Sequence, residues 1–401
     1  MKLLHSSDFR WLLGGRTCAE LGNAIAPVAL AFAVLDLTGS AVDLGLVVGA
    51  RSLANVLLVL FGGMLADRLP RSVILQGTEI AAAVSQGMIA ISVLCGFASI
   101  PLLIGLSLVN GAVAAVSLPA ASSLTPQTVP PEALTQANAT IRIGANIGRF
   151  TGAALGGILV GLLGTGSAIA VNAALFLFAS LCYRGIRATA RPAAGSRPLA
   201  ELAEGWREFS SRTWLWAVVV QFAVINAVNA GGFSVLGPLV ADNWMGRPAW
   251  GFVLGTQTIG SLCGGLLAAR LRLKRPLLVG VGVTFVDAVP LLLLAHAPVL
   301  VPLLVASFLN GIAIELFVVA WDVSLQENIP TDRLARVYSY DILGSLITLP
   351  LGATIAGPLA ERFGTQATLL GAAALVILAT AGALLSKDIR TLRRKVPTPV
   401  T

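Results

Sequence analysis

Apolar residues run through this chain in blocks too long for strands. After Arg10, near-continuous stretches of Leu, Val, Ala, Ile, Phe and Gly alternate with short segments punctuated by Arg, Asp, Pro and Gly. A helix must contain about 20 mostly apolar residues to cross a hydrocarbon layer of about 30 Å. Twelve blocks meet that length. Six run at about 11–35, 44–65, 73–95, 101–121, 138–163 and 166–186. A polar segment with five arginines, from Arg187 to Arg212, separates them from six more at about 214–240, 250–269, 276–295, 299–321, 337–359 and 366–386. The pattern predicts an all-α integral membrane protein with 12 transmembrane helices. Its parts are an N-terminal six-helix bundle over 1–186, a cytoplasmic linker over 187–212 and a C-terminal six-helix bundle with a short basic tail over 213–401.

Composition agrees with this pattern. Hydrophobic residues make up 56% of the 401 and charged residues only 11%, against roughly 25% charged in soluble domains. The net charge of +8 would suggest nucleic acid in a soluble chain, so its distribution decides its meaning. With the N-terminus inside, 21 of the 27 basic residues fall in cytoplasmic loops and tails, only Arg247 and Arg362 lie outside, and Arg16, Arg51, Arg142 and Arg149 lie within spans. This is the positive-inside asymmetry, and an odd number of spans in either half would scramble it. Both termini are therefore expected in the cytoplasm, nucleic acid is not expected as a partner, and the basic loops are placed to meet the anionic headgroups of membrane lipid. No cleavable leader is expected, because Met1–Arg10 is polar and the first apolar run is long enough to span.

Little here supports covalent or metal chemistry. Cys18, Cys95, Cys182 and Cys263 stand alone in apolar stretches, and His5 and His296 are the only histidines. A zinc site or a Ser/His/Asp hydrolase has little to build on. The chain has no GxxxxGK(S/T) loop for a nucleotide phosphate. No metal, cofactor, ATP hydrolysis or other enzymatic activity is expected.

The two halves match each other at one offset of 200. Asn110-Gly111 pairs with Asn310-Gly311, Pro130 and Leu134 with Pro330 and Leu334, Gly144 with Gly344, and Gly157 with Gly357. A parallel duplication of a six-helix unit explains a single offset. After the second span comes Gly62-Gly63-Met64-Leu65-Ala66-Asp67-Arg68-Leu69-Pro70-Arg71-Ser72. Gly63 permits close helix approach, Asp67 is an anion able to sit on a helix N-terminus, and Arg68 and Arg71 hold the loop in the cytoplasm. This run resembles the signature between helices 2 and 3 of the major facilitator superfamily, with Pro70 and Ser72 as departures. The resemblance implies two parallel six-helix repeats, a cavity lined by helices 1, 4, 7 and 10, and a conformational gate at Gly63, Asp67, Arg68 and Arg71. The second-half counterpart has Ala269 where the acid would stand, so the latch is expected from the first copy only.

In the fifth span, Gly148, Gly152, Gly156 and Gly157 lie at spacings of four, four and one, a stripe that lets a neighbouring helix pack against backbone. The same run resembles the helix-5 motif of drug antiporters with Ala153 in place of its proline, whereas the helix-4 arginine of many proton antiporters is missing. Pro119–Ala137 and the residues that follow look like the branch that holds siderophore and multidrug exporters.

Charges within the spans are the remaining candidates, since each is costly in hydrocarbon unless it is paired or wet. Arg16 and Glu20 share a face of the first span, either as a structural pair or with Glu20 as proton carrier. Glu315, whose counterpart at the offset is Ala115, and Asp287 are further proton-coupling candidates. Arg51 and Arg149 either bind an anionic substrate group or neutralise Glu20 or Asp287. Gln221, Asn226 and Asn229, near Gly231-Gly232 and Gly237-Pro238, form either a flexible cavity wall or interhelical hydrogen bonds. Glu79, Arg142, Asp322 and Asp341 read as rim residues that snorkel or pair at a gate.

The expectation is a monomeric secondary transporter in a bacterial cytoplasmic membrane. It exports a small amphipathic molecule such as a drug, siderophore or natural product by alternating access, in exchange for protons or another coupling ion. Import of a nutrient or lipid-like solute uses the same fold, and a non-transporting sensor is the alternative of another class.

Overall fold

The computed structural model describes residues 6–66, 70–125, 128–130, 133–186, 207, 209–271, 273–296 and 298–394. The described residues form helices and no strand. Twelve helices are long and apolar enough to cross a membrane. The first six are α1 (Ser7–Thr38), α2 (Ala41–Ala66), α3 (Arg71–Leu94), α4 (Ile100–Leu124), α5 (Leu134–Leu163) and α6 (Thr165–Arg184). The second six are α7 (Thr213–Trp244), α8 (Arg247–Arg270), α9 (Pro276–His296), α10 (Leu300–Asn328), α11 (Tyr340–Phe363, continuing a helix that begins at Thr331) and α12 (Thr365–Leu385).

Local chemistry sets several of the ends. Ser6 caps α1 by accepting a hydrogen bond from the Phe9 amide, and Gly39 closes it in the left-handed region, with its N–H donated to the Leu35 carbonyl. Gly164 joins α5 to α6 at φ 83°, and Gly364 joins α11 to α12 at φ 86°. These one-residue links are related by the offset of 200, and each needs a backbone shape that side chains resist.

By contacts the chain groups into two units. The first comprises Met1–Ala194, Ser234–Gly255 and Ala353–Pro358, and the second Gly195–Phe233, Thr256–Gly352 and Leu359–Thr401. In the first unit α1 packs on α5 and α6, α2 on α4, and α3 on α4 and α6. In the second, α9 packs on α10 and α12, and the first part of α7 packs on α11 and α12.

Equivalent contacts recur in both units. A Cβ on Gly111 of α4 would strike the Arg51 carbonyl of α2, and one on Gly311 of α10 would strike the Gln257 carbonyl of α8. One turn on, Asn55 donates to the Gly111 carbonyl at 3.5 Å and Ser261 donates to the Gly311 carbonyl at 3.2 Å. Gly152 of α5 is pressed on the Leu21 carbonyl of α1, and Gly352 of α11 on the Ala227 carbonyl of α7. The later helices of each repeat thus differ by 200 in number and the earlier ones by 206. A sequence search at one fixed offset finds only the later ones.

Three spans depart from regular helix: α11 is broken by a turn at Ile347–Thr348, between Thr331–Leu346 and Leu349–Phe363, and two others change their winding. Asn229–Leu236 in α7 is π-helical, and Thr284–Asp287 in α9 is a 3-10 turn. Such stretches redirect side chains and often mark hinges or sites.

Candidate functional site

The first unit encloses a cavity of about 430 Å3 to which all six of α1–α6 contribute. α1 supplies Arg16, Glu20 and Asn23; α2 supplies Arg51 and Asn55; α3 supplies Glu79 and Ala82. α4 adds Asn110, Val113, Ala114 and Ser117, α5 adds Arg149, and α6 adds Phe176. In a protein this poor in charge, three arginines and two glutamates around one space are the densest functional chemistry among the described residues.

The α5 glycine stripe builds the centre of this site. A Cβ on Gly148 would lie 2.6 Å from the Thr17 carbonyl oxygen, and Gly152 and Gly156 are seated on Leu21 and Ile25, one turn apart along α1. This contact brings Arg149, the residue after Gly148, beside Glu20. The Arg149 Nε donates to Glu20 Oε2 at 2.8 Å, and Arg16 Nη2 lies 3.4 Å from Oε1. Each oxygen of one carboxylate therefore has its own guanidinium. The side chain of Glu20 is 13% exposed and that of Arg149 51% exposed, so the pair sits between a packed helix face and open space. Of the two readings of Arg16–Glu20, the structural pair has its geometry here, with Arg149 as a second partner. Gly157 serves a different contact, against Pro248 and Gly251 at the start of α8.

Glu79 overturns the expectation of a rim position. It is 5% exposed, lines the cavity, and its Oε2 has no hydrogen-bond partner among the described residues. A signal in the sequence could have found it. The exposed positions of α3 include Val73, Ile80, Val84 and Ile91, and the buried ones include Thr78, Glu79, Ser85, Gln86 and Ser92. That helix faces its apolar stripe outward to lipid and its polar stripe inward, and Glu79 is on the polar stripe.

Arg51 also lines the cavity, and it has no ion pair or hydrogen bond from its side chain among the described residues. Its place is fixed by the Gly111 contact at its own carbonyl. The sequence left open whether it neutralises Glu20 or Asp287, and it pairs with neither.

The second unit places its candidates differently. Asp287 is 2% exposed and accepts a hydrogen bond from the Asn310 amide, whose Oδ1 accepts from Gln257 Nε2 at 2.6 Å. This chain joins α8, α9 and α10. Gln221 donates to Thr284 and Thr380 at 2.8 and 3.2 Å, and Asn226 donates to the Ser345 carbonyl at 2.9 Å. Of the two readings for these amides, interhelical hydrogen bonding is the one the geometry gives. Asn229 opens the π-helical stretch, and Glu315 of α10 packs against Gly264 and Gly265 of α8.

The expected gate is described only in part. Gly63 lies in α2 and Arg71 is the first residue of α3, whereas Asp67 and Arg68 lie outside the described residues. A polar cluster not singled out from sequence stands elsewhere in the first unit. Arg247 pairs with Asp36 of α1 and with Asp242 of α7, the latter at 2.8 Å, and lies over the Phe32 ring.

One sequence relative and two solved structures resemble this chain. The chain is 27% identical over 379 residues to the multidrug efflux pump Tap of Mycolicibacterium fortuitum, covering 88% of this chain and 89% of the relative. A bacterial homolog of the human lysosomal transporter Spinster superposes with a TM-score of 0.73 at 17% identity, over 99% of this chain and all of that one. The nucleoside transporter NupG gives 0.74 at 15% identity, over 98% of this chain and all of that one. At those identities the two structures establish the fold alone. Residues 12–340 match the family model of the Major Facilitator Superfamily, and with twelve spans and the shared fold, the chain belongs to that family as a multi-pass membrane transporter of a small molecule, not an enzyme.

Proposed function

We propose that this transporter exports a small amphipathic molecule across a bacterial cell membrane in exchange for protons, with Glu20 as the coupling carboxylate. The supporting observation is Glu20 itself, held at the cavity wall by Arg16 and Arg149, one to each oxygen. A proton on that carboxylate removes the charge that holds both guanidiniums. An ion pair at membrane depth is kept by the cost of leaving either charge alone, so its loss is a large local change. Protonation thereby loosens α1 from Arg149 of α5 and alters the charge that cargo meets in the cavity. Deprotonation toward the cytoplasm restores the clamp. Glu79, close enough to feel the charges of Arg16 and Glu20, is a second acid through which the proton passes. Efflux as the direction is supported by the likeness to the multidrug efflux pump over most of both chains. The gate at Gly63, Asp67, Arg68 and Arg71 is retained as part of this proposal.

The test has two stages. A strain stripped of its own efflux pumps and expressing the chain is scored against a panel of drugs and siderophores, with and without an uncoupler. A compound to which it gains uncoupler-sensitive resistance then goes to everted vesicles, where its addition should discharge a preformed pH gradient. Glu20→Gln is expected to abolish that discharge. Full proton release by Glu20→Gln, and by the Glu20→Gln/Glu315→Gln double variant, overturns the assignment.

A further inference from the structure

We propose that the cavity of the first unit binds an organic anion, with Arg51 as the seat of its single negative headgroup. The inference deepens the transport reading given above by naming the class of cargo.

The cavity is lined by three arginines and only two carboxylates, Glu20 and Glu79. Glu20 is committed, since Arg16 and Arg149 each hold one of its oxygens. Glu79 makes no hydrogen bond or ion pair among the described residues, and the charges near it are those of Arg16 and Glu20. Arg51 is thus left as a cation at membrane depth with no protein anion to meet it. A guanidinium does not relieve its burial by releasing its proton, because it stays charged in proteins. A permanent charge in that position calls for water or an anion, and an intramembrane charge that faces a cavity marks a substrate or ion path.

The surroundings make Arg51 a built position. Its backbone carbonyl is in contact with Gly111 of α4, and Asn55, one turn along the same helix, is tied to the Gly111 carbonyl. The counterpart of this contact in the second unit has Gln257, which is consumed by its hydrogen bond to Asn310. The repeated frame therefore does not demand a cation at this place. Val113, Ala114 and Phe176 add apolar surface to the lining of the same cavity. A planar, bidentate donor in a cavity with apolar surface suits a carboxylate, sulfonate or phosphate carried on a hydrophobic body.

The experiment uses the purified full chain in nanodiscs with no pH gradient, so that its result does not depend on coupling or direction. Three probes share one apolar body and differ in headgroup: 1-naphthoate, 1-naphthylmethanol and 1-naphthylmethylammonium. Affinities are read by calorimetry against empty nanodiscs. Naphthoate is expected to bind at least about tenfold more tightly than either of the others, as a hydrogen-bonded charge pair requires. Arg51→Gln is expected to remove that margin while leaving the affinity for the alcohol within about twofold, and Arg51→Lys to retain part of it. An equal or greater affinity for the alcohol or the ammonium in the unaltered protein overturns the proposal, as does no binding of naphthoate. An intact margin in a folded Arg51→Gln protein overturns it as well, and the unaltered protein decides the matter if that variant fails to fold. Loss of proton-linked export in vesicles with the anion preference intact would overturn the exchange reading and leave this one standing.

Discussion

At the residue scale, the protein separates charges that are satisfied from charges that are available. Asp287 belongs to the first group, since a hydrogen bond from Asn310 holds its buried carboxylate and Gln257 in turn holds Asn310. Asn310→Ala would remove that donor, the only one from another helix among the described residues, leaving a buried polar group unmet at a cost of about 1–3 kcal/mol. The expected outcome is a lower thermal unfolding midpoint in detergent; an unchanged midpoint would mean that the chain across α8, α9 and α10 contributes nothing. Glu20 belongs to both groups, because its clamp is complete but opens onto a cavity. Which charges needed an explanation was legible in the sequence, as Arg16, Glu20, Arg51, Arg149 and Asp287 all fall in apolar runs. Their partners were not. Arg149 and Glu20 are 129 positions apart, and no local pattern specifies the register in which α5 lies on α1.

At the element scale, small residues set that register. Gly148, Gly152 and Gly156 read in the sequence as a packing stripe, and they pack on α1 at Thr17, Leu21 and Ile25. Apolar side chains gain little from leaving lipid, so such helices associate through close van der Waals contact between backbones. Gly152→Val would drive a side chain into the Leu21 carbonyl and force α1 and α5 apart. Transport and thermal midpoint are both expected to fall, whereas Gly77→Ala on α3, where an added Cβ meets nothing within 4 Å, should leave both unchanged. Equal behaviour of the two variants in a thermal shift assay would argue against the stripe as the determinant of the site. The irregular stretches at Asn229–Leu236 and Thr284–Asp287 were not legible as such. Hydropathy records how apolar a segment is and carries no information on whether each amide bonds three, four or five residues back. Likewise α10 runs on to Asn328, past the apolar block ending near 321, because hydrogen bonding continues after hydropathy falls.

At the scale of the whole molecule, twelve spans and a biased charge distribution define a topology that can be tested. With the cytoplasmic N-terminus proposed from the basic loops, Cys95 at the end of α3 lies outside and Lys274, between α8 and α9, lies inside. In a chain whose other cysteines are replaced, a membrane-impermeant maleimide should label Cys95 on intact cells, and Lys274→Cys only after lysis in a background without Cys95. The reverse pattern would invert the topology. The duplication is a second whole-molecule property, and the structure extends it beyond the six sequence matches. It adds Gly152 with Gly352 and Gly164 with Gly364 at the same offset, and the helix contacts in which the earlier partners differ by 206. The sequence by itself determined the number of spans, the helical class, the family and the few charges that burial makes expensive, because each of these follows from local hydropathy, spacing and motif. Only the tertiary structure decided that Glu20 is clamped by two arginines, that Glu79 faces inward, and that Arg51 is left to face the cavity alone among the described residues. Those facts depend on which helix faces meet, and in a membrane that choice is made by backbone contact between segments far apart in the chain.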